Sequence, residues 1–159
     1  MKSLILYASK YGATHEIAKR IQNALGEGVL HDLGQRTLPD LAEFDCVIVG
    51  SSVYAGVARK EAKAFLNQYK DVLVGKKLGL FLSGLQKGGG EKALQANFPP
   101  ELLESAKGAA LLGGVFDPEK ANAVERAIIK VISKKSGYIQ AINDEAIAQF
   151  VAKIKDETA

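Results

Sequence analysis

The feature that most constrains this chain is a series of short apolar runs that alternate with stretches of helical period. Most of the runs are uninterrupted by polar residues, and they cover residues 4–8, 28–33, 46–50, 78–82 and 109–115. Because uninterrupted apolar strands are buried on both faces, the runs predict a parallel central sheet.

Apolar residues at helical spacing lie between these runs and predict one buried face for each helix. They are Ile17, Ile21, Ala24 and Leu25, then Ala62, Phe65, Leu66 and Tyr69, and finally Ile147, Phe150, Val151 and Ile154. Strands and helices that alternate along the chain predict a doubly wound three-layer α/β domain, in which ligands bind at the carboxyl ends of the strands.

The composition restricts the possible classes of protein further. The chain has 159 residues, 47% of them hydrophobic and 25% charged, which predicts a single domain over 1–159. Its one cysteine, Cys46, excludes a disulfide framework and a Cys-based zinc site, and we expect no metal. No apolar run approaches the roughly 20 residues of a membrane span, so we expect a soluble, cytoplasmic protein. A net charge of +3 on a surface of mixed sign argues against a nucleic-acid partner.

A long connection separates the fifth run from the last helix. It comprises 28 residues, 116–143, where α/β connections usually take about 2–6. Pro118 suits a first helical position, apolar residues follow at helical spacing, and Ser136-Gly137 suits a helix end, so we predict a helical insertion at about 117–142. Because the helix at 118–136 is amphipathic and basic, it either packs on the domain or lies on an anionic membrane surface.

The turn after the first strand carries the most informative residues: Ser9, Lys10, Tyr11, Gly12, Ala13 and Thr14. Small and hydroxyl residues between a buried strand and a helix N-terminus expose backbone N–H groups, to which the Ser9 and Thr14 hydroxyls add donors. The turn lacks the second glycine and the lysine of the nucleotide P-loop, and it is not a G-x-G-x-x-G motif. It therefore predicts a site for a single phosphate, with an ordinary capped turn as the alternative.

Two further loops leave the same predicted edge of the sheet, after the third and fourth strands. The first contains Ser51, Ser52, Val53, Tyr54, Ala55 and Gly56, and the second begins with Ser83, Gly84, Leu85, Gln86 and Lys87 and continues with three glycines. Small residues let the backbone approach a planar heterocycle, on which we expect Tyr54 to stack. Each loop alone is only a turn, but three in this order indicate a ligand site.

With these loops, the chain resembles the flavodoxin-type FMN-binding proteins. The segment KSLILYASKYGATHEIAKRI is similar to the first strand, phosphate loop and helix of that family, and the similarity extends over essentially the whole chain. The resemblance implies a flavodoxin-like five-stranded sheet of order 2-1-3-4-5, FMN as the cofactor and electron transfer as the function. It also implies that residues 9–14 surround the FMN phosphate and that 51–56 and 83–87 flank the isoalloxazine. Tyr11 stands where the family often has a hydroxyl residue, and the loop at 83–90 has no aromatic side chain of its own.

A narrower resemblance is to the menaquinone-dependent protoporphyrinogen oxidase branch of the family. The segments that carry it are LILYASKYGATHEIA, CVIVGSSVYAG, LLGGVF and VERAIIKVISKKSG. It implies oxidation of a porphyrinogen in heme biosynthesis, a quinone as acceptor and contact with the inner face of the membrane. The loop after the fourth strand departs from that branch, because it is shorter and its basic run is replaced by Lys87 and three glycines.

Two other enzyme and signalling classes fail on their site residues. A receiver domain would need carboxylates after the first and third strands, where this chain has Ala8-Ser9 and Gly50-Ser51. A serine hydrolase would need a G-x-S-x-G elbow, which this sequence lacks. Three functions stay open. They are an FMN redox protein that serves a partner protein or quinone, a quinone-dependent protoporphyrinogen oxidase, and a non-catalytic interaction module that has lost FMN binding.

The charge pattern leads to an expectation about redox behaviour. Segments 1–15, 46–60 and 73–90 contain no Asp or Glu, and their basic residues include Lys10, Arg59, Lys60, Lys76, Lys77 and Lys87. A positive charge at roughly 10 Å would stabilise anionic, fully reduced FMN by about 0.4–1.7 kcal/mol. We therefore expect full reduction to be easier than in acidic flavodoxins.

Overall fold

Five parallel strands form the centre of the fold. The computed structural model describes residues 1–10, 12–54, 56–85, 90–116 and 139–155. The strands are β1 (Ser3–Ala8), β2 (Val29–Asp32), β3 (Cys46–Tyr54), β5 (Lys77–Ser83) and β6 (Gly108–Leu111), and a short strand, β4 (Val57–Ala58), pairs antiparallel with the end of β3. The order across the sheet is β2-β1-β3-β5-β6. Apart from the hairpin strand β4, this is the predicted order 2-1-3-4-5.

Helices cover both faces of the sheet, as predicted for a three-layer domain. They are α1 (Ala13–Leu25), α2 (Lys60–Gln68), α3 (Lys70–Val74), α4 (Glu91–Asn97), α5 (Pro100–Ser105) and α6 (Asp144–Lys155). The apolar faces of α1 and α6 pack against one side of the sheet, and α2, α3, α4 and α5 contribute to the core on the other side. Successive side chains of β3 alternate between these two cores, with Val47 and Val49 on one side and Ile48 on the other.

The predicted helix faces are confirmed with two exceptions. The four apolar residues of α6 are all buried, as are Ile17, Ile21 and Leu25 of α1. Ala24, however, is exposed, and Tyr69 lies just beyond the end of α2. At the start of α6, Asn143 Oδ1 accepts a hydrogen bond of 2.9 Å from Ala146 N and so caps the helix.

The fifth predicted strand, 109–115, is wrong in its second half. Strand β6 ends at Leu111, and the chain turns at Gly113-Gly114, where Gly113 O accepts a hydrogen bond of 2.9 Å from Gly84 N. The next residues form β7 (Val115–Phe116), which pairs antiparallel with β8 (Ile139–Gln140) in a separate sheet. Two consecutive glycines lack the side chains that hold a strand in register, so the apolar run does not continue as one strand.

Two other elements differ from the sequence-based expectation. Strand β3 does not stop at Gly50 but continues to Tyr54, because the returning strand β4 pairs with its last residues. The connection from β2 to β3 holds only a 3-10 turn (Leu41–Glu43), although the alternating order predicts a helix there. Asp40 caps this turn by accepting a hydrogen bond of 3.0 Å from Ala42 N.

The predicted insertion at 117–142 lies largely outside the described residues, because residues 117–138, and with them the expected helix at 118–136, are not among them. Within the described ranges, no helix has the length and apolar character needed to cross a bilayer.

Candidate functional site

The carboxyl ends of β1, β3 and β5 lie side by side, because these three strands are neighbours in one parallel sheet. Ala8 is opposite Ser51 in the register, and Ser52 is opposite Ser83. The three loops singled out in the sequence therefore leave the same edge of the sheet. Four of the expected site residues, Tyr11, Ala55, Gln86 and Lys87, lie outside the described part of the chain.

The turn between β1 and α1 presents backbone amides at the start of a helix. Gly12 occupies the N-cap position with a φ of 98°, and the first hydrogen bond of the helix runs from Glu16 N to Gly12 O at 3.0 Å. The N–H groups of residues 13, 14 and 15 consequently have no acceptor within the helix. Ser9 Oγ accepts a hydrogen bond of 2.8 Å from Gly12 N and so fixes the shape of the turn. This arrangement suits an anion.

Thr14 is used differently from the sequence-based expectation. Its side chain is fully buried, and its Oγ1 shares a hydrogen bond of 2.7 Å with Ser83 Oγ at the end of β5. The expected phosphate donor thus faces the interior and connects the first turn of α1 to the central sheet. Because one of the two hydroxyl protons is used in this bond, at most one is left to donate elsewhere.

Ser51 and Ser52 have opposite situations. Ser51 Oγ accepts from Arg59 N and donates to Ser52 O, both at 2.9 Å, so this buried hydroxyl holds the β3–β4 hairpin together. Ser52 Oγ is also buried but has no hydrogen-bond partner among the described residues. Strand alternation places the Ser52 side chain on the α1 side of the sheet, the side on which Thr14 meets Ser83. A buried polar atom without a partner is costly in a folded protein, which marks this position as a ligand-contact candidate.

Tyr54 lies at the end of β3 rather than in a loop, and its half-buried ring makes a cation–π contact with a lysine. Lys10 Nζ lies 4.3 Å from the centroid of the Tyr54 ring. Across the hairpin, Val57 is 54% exposed and pairs with Tyr54. The phosphate-type turn and the expected stacking aromatic are therefore in direct contact, which no sequence motif indicated.

Gly84 and Leu85 form the described part of the third loop, and both are half-buried. The bond between Gly84 N and Gly113 O ties this loop to the turn after β6. A side chain at Gly114 would bring its Cβ within 3.0 Å of Gly84 N, so the two backbones pack closely here. The loop is thus anchored at its base by main-chain contacts.

The charge distribution at this edge is less basic than the sequence segments suggested. Lys76 and Lys77 lie at the amino end of β5, opposite the site, and cannot belong to it. Arg59 Nε lies 3.5 Å from Glu61 Oε2, an acidic neighbour just outside the acid-free segment. Among the described residues, the positive charges that observed contacts place beside these loops are therefore Lys10, which lies over Tyr54, and Arg59, which Glu61 partly neutralises.

Three other side chains that carry functional groups are held by packing: Cys46, His15 and Tyr7. Cys46 is fully buried at the amino end of β3, and burial raises the pKa of its thiol, so it stays protonated and packs as a small apolar residue. His15 is exposed, and its ring stacks on Tyr7 with centroids 4.8 Å apart. Burial, and secondarily the Asp32 carboxylate, raises the pKa of the Tyr7 phenol, which therefore stays neutral.

Sequence reasoning missed one residue that is connected to the site. Asn97, at the end of α4, hydrogen-bonds the backbone of the β3–β4 hairpin although 39 residues separate it from Ala58. A single asparagine before Phe98-Pro99 matches no binding motif, so only the folded chain reveals this contact.

The buried hydroxyl pair leads to a prediction about stability. We expect Thr14→Val and Ser83→Ala each to lower the free energy of unfolding by about 1–2 kcal/mol, because each leaves the other hydroxyl buried without its partner. The double variant should lose less than the sum of the two, since it leaves no orphaned group. Urea denaturation of all four proteins measures the coupling, with Ser105→Ala as a control for a hydroxyl outside the site. Strictly additive losses would contradict the pairing.

Comparison with known proteins identifies the family. The family model described as "Flavodoxin domain" matches residues 4–141. No curated protein sequence matches the chain significantly. Among solved structures, oxidised Flavodoxin 2 from Bacillus cereus is 24% identical with a TM-score of 0.64, and 97% of each chain is covered. Oxidised Flavodoxin 1 from the same organism is 16% identical with a TM-score of 0.59 and 100% of each chain covered. The Fusobacterium nucleatum flavodoxin bound to flavin mononucleotide is 18% identical with a TM-score of 0.52, covering 97% of this chain and 96% of the other. The fold is that of flavodoxins, and the chain belongs to the flavodoxin domain family.

Proposed function

We propose that this chain binds FMN non-covalently at the carboxyl edge of its sheet and exchanges electrons with a redox partner. The observation that carries the proposal is the meeting of three ligand-type features at one edge. These are the N-terminal amides of α1, the buried Ser52 hydroxyl without a partner, and the Tyr54 ring. The flavodoxin fold, shared with an FMN-bound flavodoxin, supports the same reading.

The described residues fit the three parts of FMN. The amides of residues 13–15 suit the phosphate, since they are close together and lie at the positive end of the helix dipole. The Ser52 hydroxyl suits a hydroxyl of the ribityl chain, which would satisfy its hydrogen bonding. Tyr54 and the backbone at Gly84 and Leu85 suit the two sides of the isoalloxazine. Bound FMN supplies reversible electron transfer, while the protein positions the ring and sets its electrostatic surroundings.

The sequence adds four residues to this proposed site. Tyr11 and Ala55 continue the phosphate turn and the hairpin, and Gln86 and Lys87 continue the third loop. We include them with Ser9–Thr14, Ser51–Gly56 and Ser83–Lys87 as the proposed FMN-binding set, within a single domain over 1–159. Ser51 and Thr14 enter this set as residues that hold the scaffold, because their hydroxyls are engaged inside the protein.

The proposal predicts that the protein binds FMN more tightly than riboflavin, by at least about tenfold, because only FMN has a phosphate for the helix amides. Purified protein should be yellow or become so when FMN is added, and quenching of flavin fluorescence gives both dissociation constants. Protein that stays colourless and quenches neither flavin would overturn the proposal in favour of an interaction module.

A matched pair of glycine variants tests, in the same binding experiment, whether the turn between β1 and α1 binds the phosphate. Gly12 and Gly26 lie at opposite ends of α1, both have left-handed φ values (98° and 80°), and neither has an atom within 4 Å of an added Cβ. Gly12→Ala and Gly26→Ala should therefore cost similar stability, about 1–2 kcal/mol. Only Gly12→Ala should reduce the preference for FMN over riboflavin. An equal reduction of this preference in both variants would argue against phosphate binding at this turn.

The Lys10 ammonium leads to a prediction about potential. Because it lies beside Tyr54, it should stabilise anionic, fully reduced FMN. We expect Lys10→Gln to make the potential for the second electron more negative by about 20–70 mV. Lys107→Gln is the control, since Lys107 is exposed and precedes β6 at the opposite edge, where its charge is screened. Spectroelectrochemical titration measures both variants, and equal shifts would rule out a local effect of Lys10.

A second candidate function rests on the sequence segment VERAIIKVISKKSG, which lies outside the described residues. Its resemblance to the protoporphyrinogen oxidase branch favours oxidation of a porphyrinogen with a quinone as acceptor, and contact with the inner face of the membrane through 118–136. Anaerobic assay of the FMN-loaded protein with protoporphyrinogen and a menaquinone analogue tests it. Porphyrin formation that depends on the quinone supports this function, and its absence leaves electron transfer between proteins.

A further inference from the structure

Asn97 makes three hydrogen bonds with its buried side chain. Its Oδ1 accepts from Ala58 N at 2.8 Å, and its Nδ2 donates to Gly56 O at 3.1 Å and to Ala93 O at 2.9 Å. The residue is only 7% exposed. Two of the three bonds go to the β3–β4 hairpin, and the third goes back into α4, where Asn97 is the last residue.

The two hairpin bonds imitate a neighbouring strand. Gly56 O and Ala58 N flank Val57 and point the same way along the outer edge of β4. A residue in a parallel partner strand would bind the same two groups with its own N–H and C=O. The amide of Asn97 supplies one donor and one acceptor in their place. It therefore satisfies two backbone groups on the side of β4 with which none of the described strands pairs.

This contact connects the hairpin with the element that follows the third loop. Val57 and Ala58 pair with Tyr54 and Val53, so fixing β4 also fixes the end of β3 that carries the Tyr54 ring. At the other end of the hairpin, Ser51 Oγ holds Arg59 N. Helix α4 follows the third loop in the chain, of which Gly84 and Leu85 are described, and packs on the core at Ala93. The Asn97 side chain thus holds the ring-flanking hairpin against α4.

We propose that Asn97 is a positioning residue for the ring half of the flavin site, an inference that rests on the proposed function. It fixes the position of the Tyr54 hairpin relative to α4, and so the position of one side of the space available to a planar heterocycle. None of its three hydrogen bonds goes to a described residue of the turn at 9–14, the proposed phosphate site. Its removal therefore weakens recognition of the ring and leaves recognition of the phosphate intact.

Riboflavin and FMN separate these two contributions in the full-length protein. In Asn97→Ser, which removes the hairpin bonds, we expect the dissociation constants of both ligands to rise by the same factor, about tenfold or more, with the FMN-to-riboflavin ratio unchanged. The visible spectrum of bound flavin should also lose the perturbation caused by the stacked Tyr54 ring. Gly12→Ala gives the opposite pattern, since it changes the ratio.

Asn97→Asp and Asn67→Asp form a matched pair. Asn67 is exposed and lines the same surface groove, of about 260 Å³, as Asn97. Asn97→Asp keeps the acceptor for Ala58 but replaces the donor to Gly56 O with a carboxylate. Riboflavin affinity should fall at neutral pH and partly recover under mildly acidic conditions, where the protonated acid can donate again. Asn67→Asp should change neither affinity nor its pH dependence.

Three results would overturn the inference. Unchanged riboflavin affinity in both Asn97 variants, with faster hydrogen exchange at Ala58 N–H, would make the contact purely structural. A changed FMN-to-riboflavin ratio in Asn97→Ser would mean that the whole site is disturbed. Failure of the unmodified protein to bind either flavin would remove the proposed function itself, and this outcome is recognised without any Asn97 variant. Circular dichroism at the assay temperature confirms that each variant compared is folded.

Discussion

The parallel pairing of β1, β3 and β5 is the constraint on which the rest of the site depends. These strands are buried on both faces, so polar groups can reach solvent only at the amino and carboxyl ends of the strands. Parallel direction then brings all three carboxyl ends to the same edge. The hydroxyl residues, which would be costly among the leucines and valines of the strands, are therefore concentrated where the apolar runs stop.

Most of the polar side chains at this edge hydrogen-bond to the scaffold itself. Thr14 binds Ser83, Ser51 binds the backbone at Arg59, and Asn97 binds the hairpin. In the site that we propose, recognition by the described residues therefore depends mainly on backbone amides and on the Ser52 hydroxyl. Under the proposed function, this division would also make the site tolerant of Tyr11, which stands in sequence where the family often has a hydroxyl residue. A phosphate held mainly by main-chain N–H groups loses little when one side-chain donor is replaced.

The layers and the end of the sheet that carries the candidate site could be predicted because they follow from burial and strand direction, whereas the strand order 2-1-3-4-5 was expected from the resemblance to flavodoxins. The uninterrupted run CVIVG and the helical spacing of Ile147, Phe150, Val151 and Ile154 report burial directly. The end of β6 was predicted wrongly because Leu111 and Val115 are equally apolar. The Gly113-Gly114 pair between them weakens the strand, and the contact of Gly113 with Gly84 forms only in the folded chain. The orientation of Thr14 and the contacts of Asn97 could not be predicted either, because both depend on residues that are distant in the sequence. Hydrogen bonds between residues 69 or 39 positions apart leave no local pattern.

The position of Lys10 changes how the charge of the chain should be understood. The sequence counts Lys76 and Lys77 with the loops, but they lie at the far edge of the sheet, where the solvent screens them from any ligand at the near edge. Lys10 belongs to the phosphate-type turn, yet its ammonium lies over the Tyr54 ring. A bound phosphate and a reduced ring would both attract it, and the cation–π contact favours the ring side by about 0.5–1 kcal/mol at an exposed site. If FMN binds as we propose, the electrostatics of this site depend on which of these two anions the Lys10 side chain faces, and the overall charge of +3 contains no information about that choice.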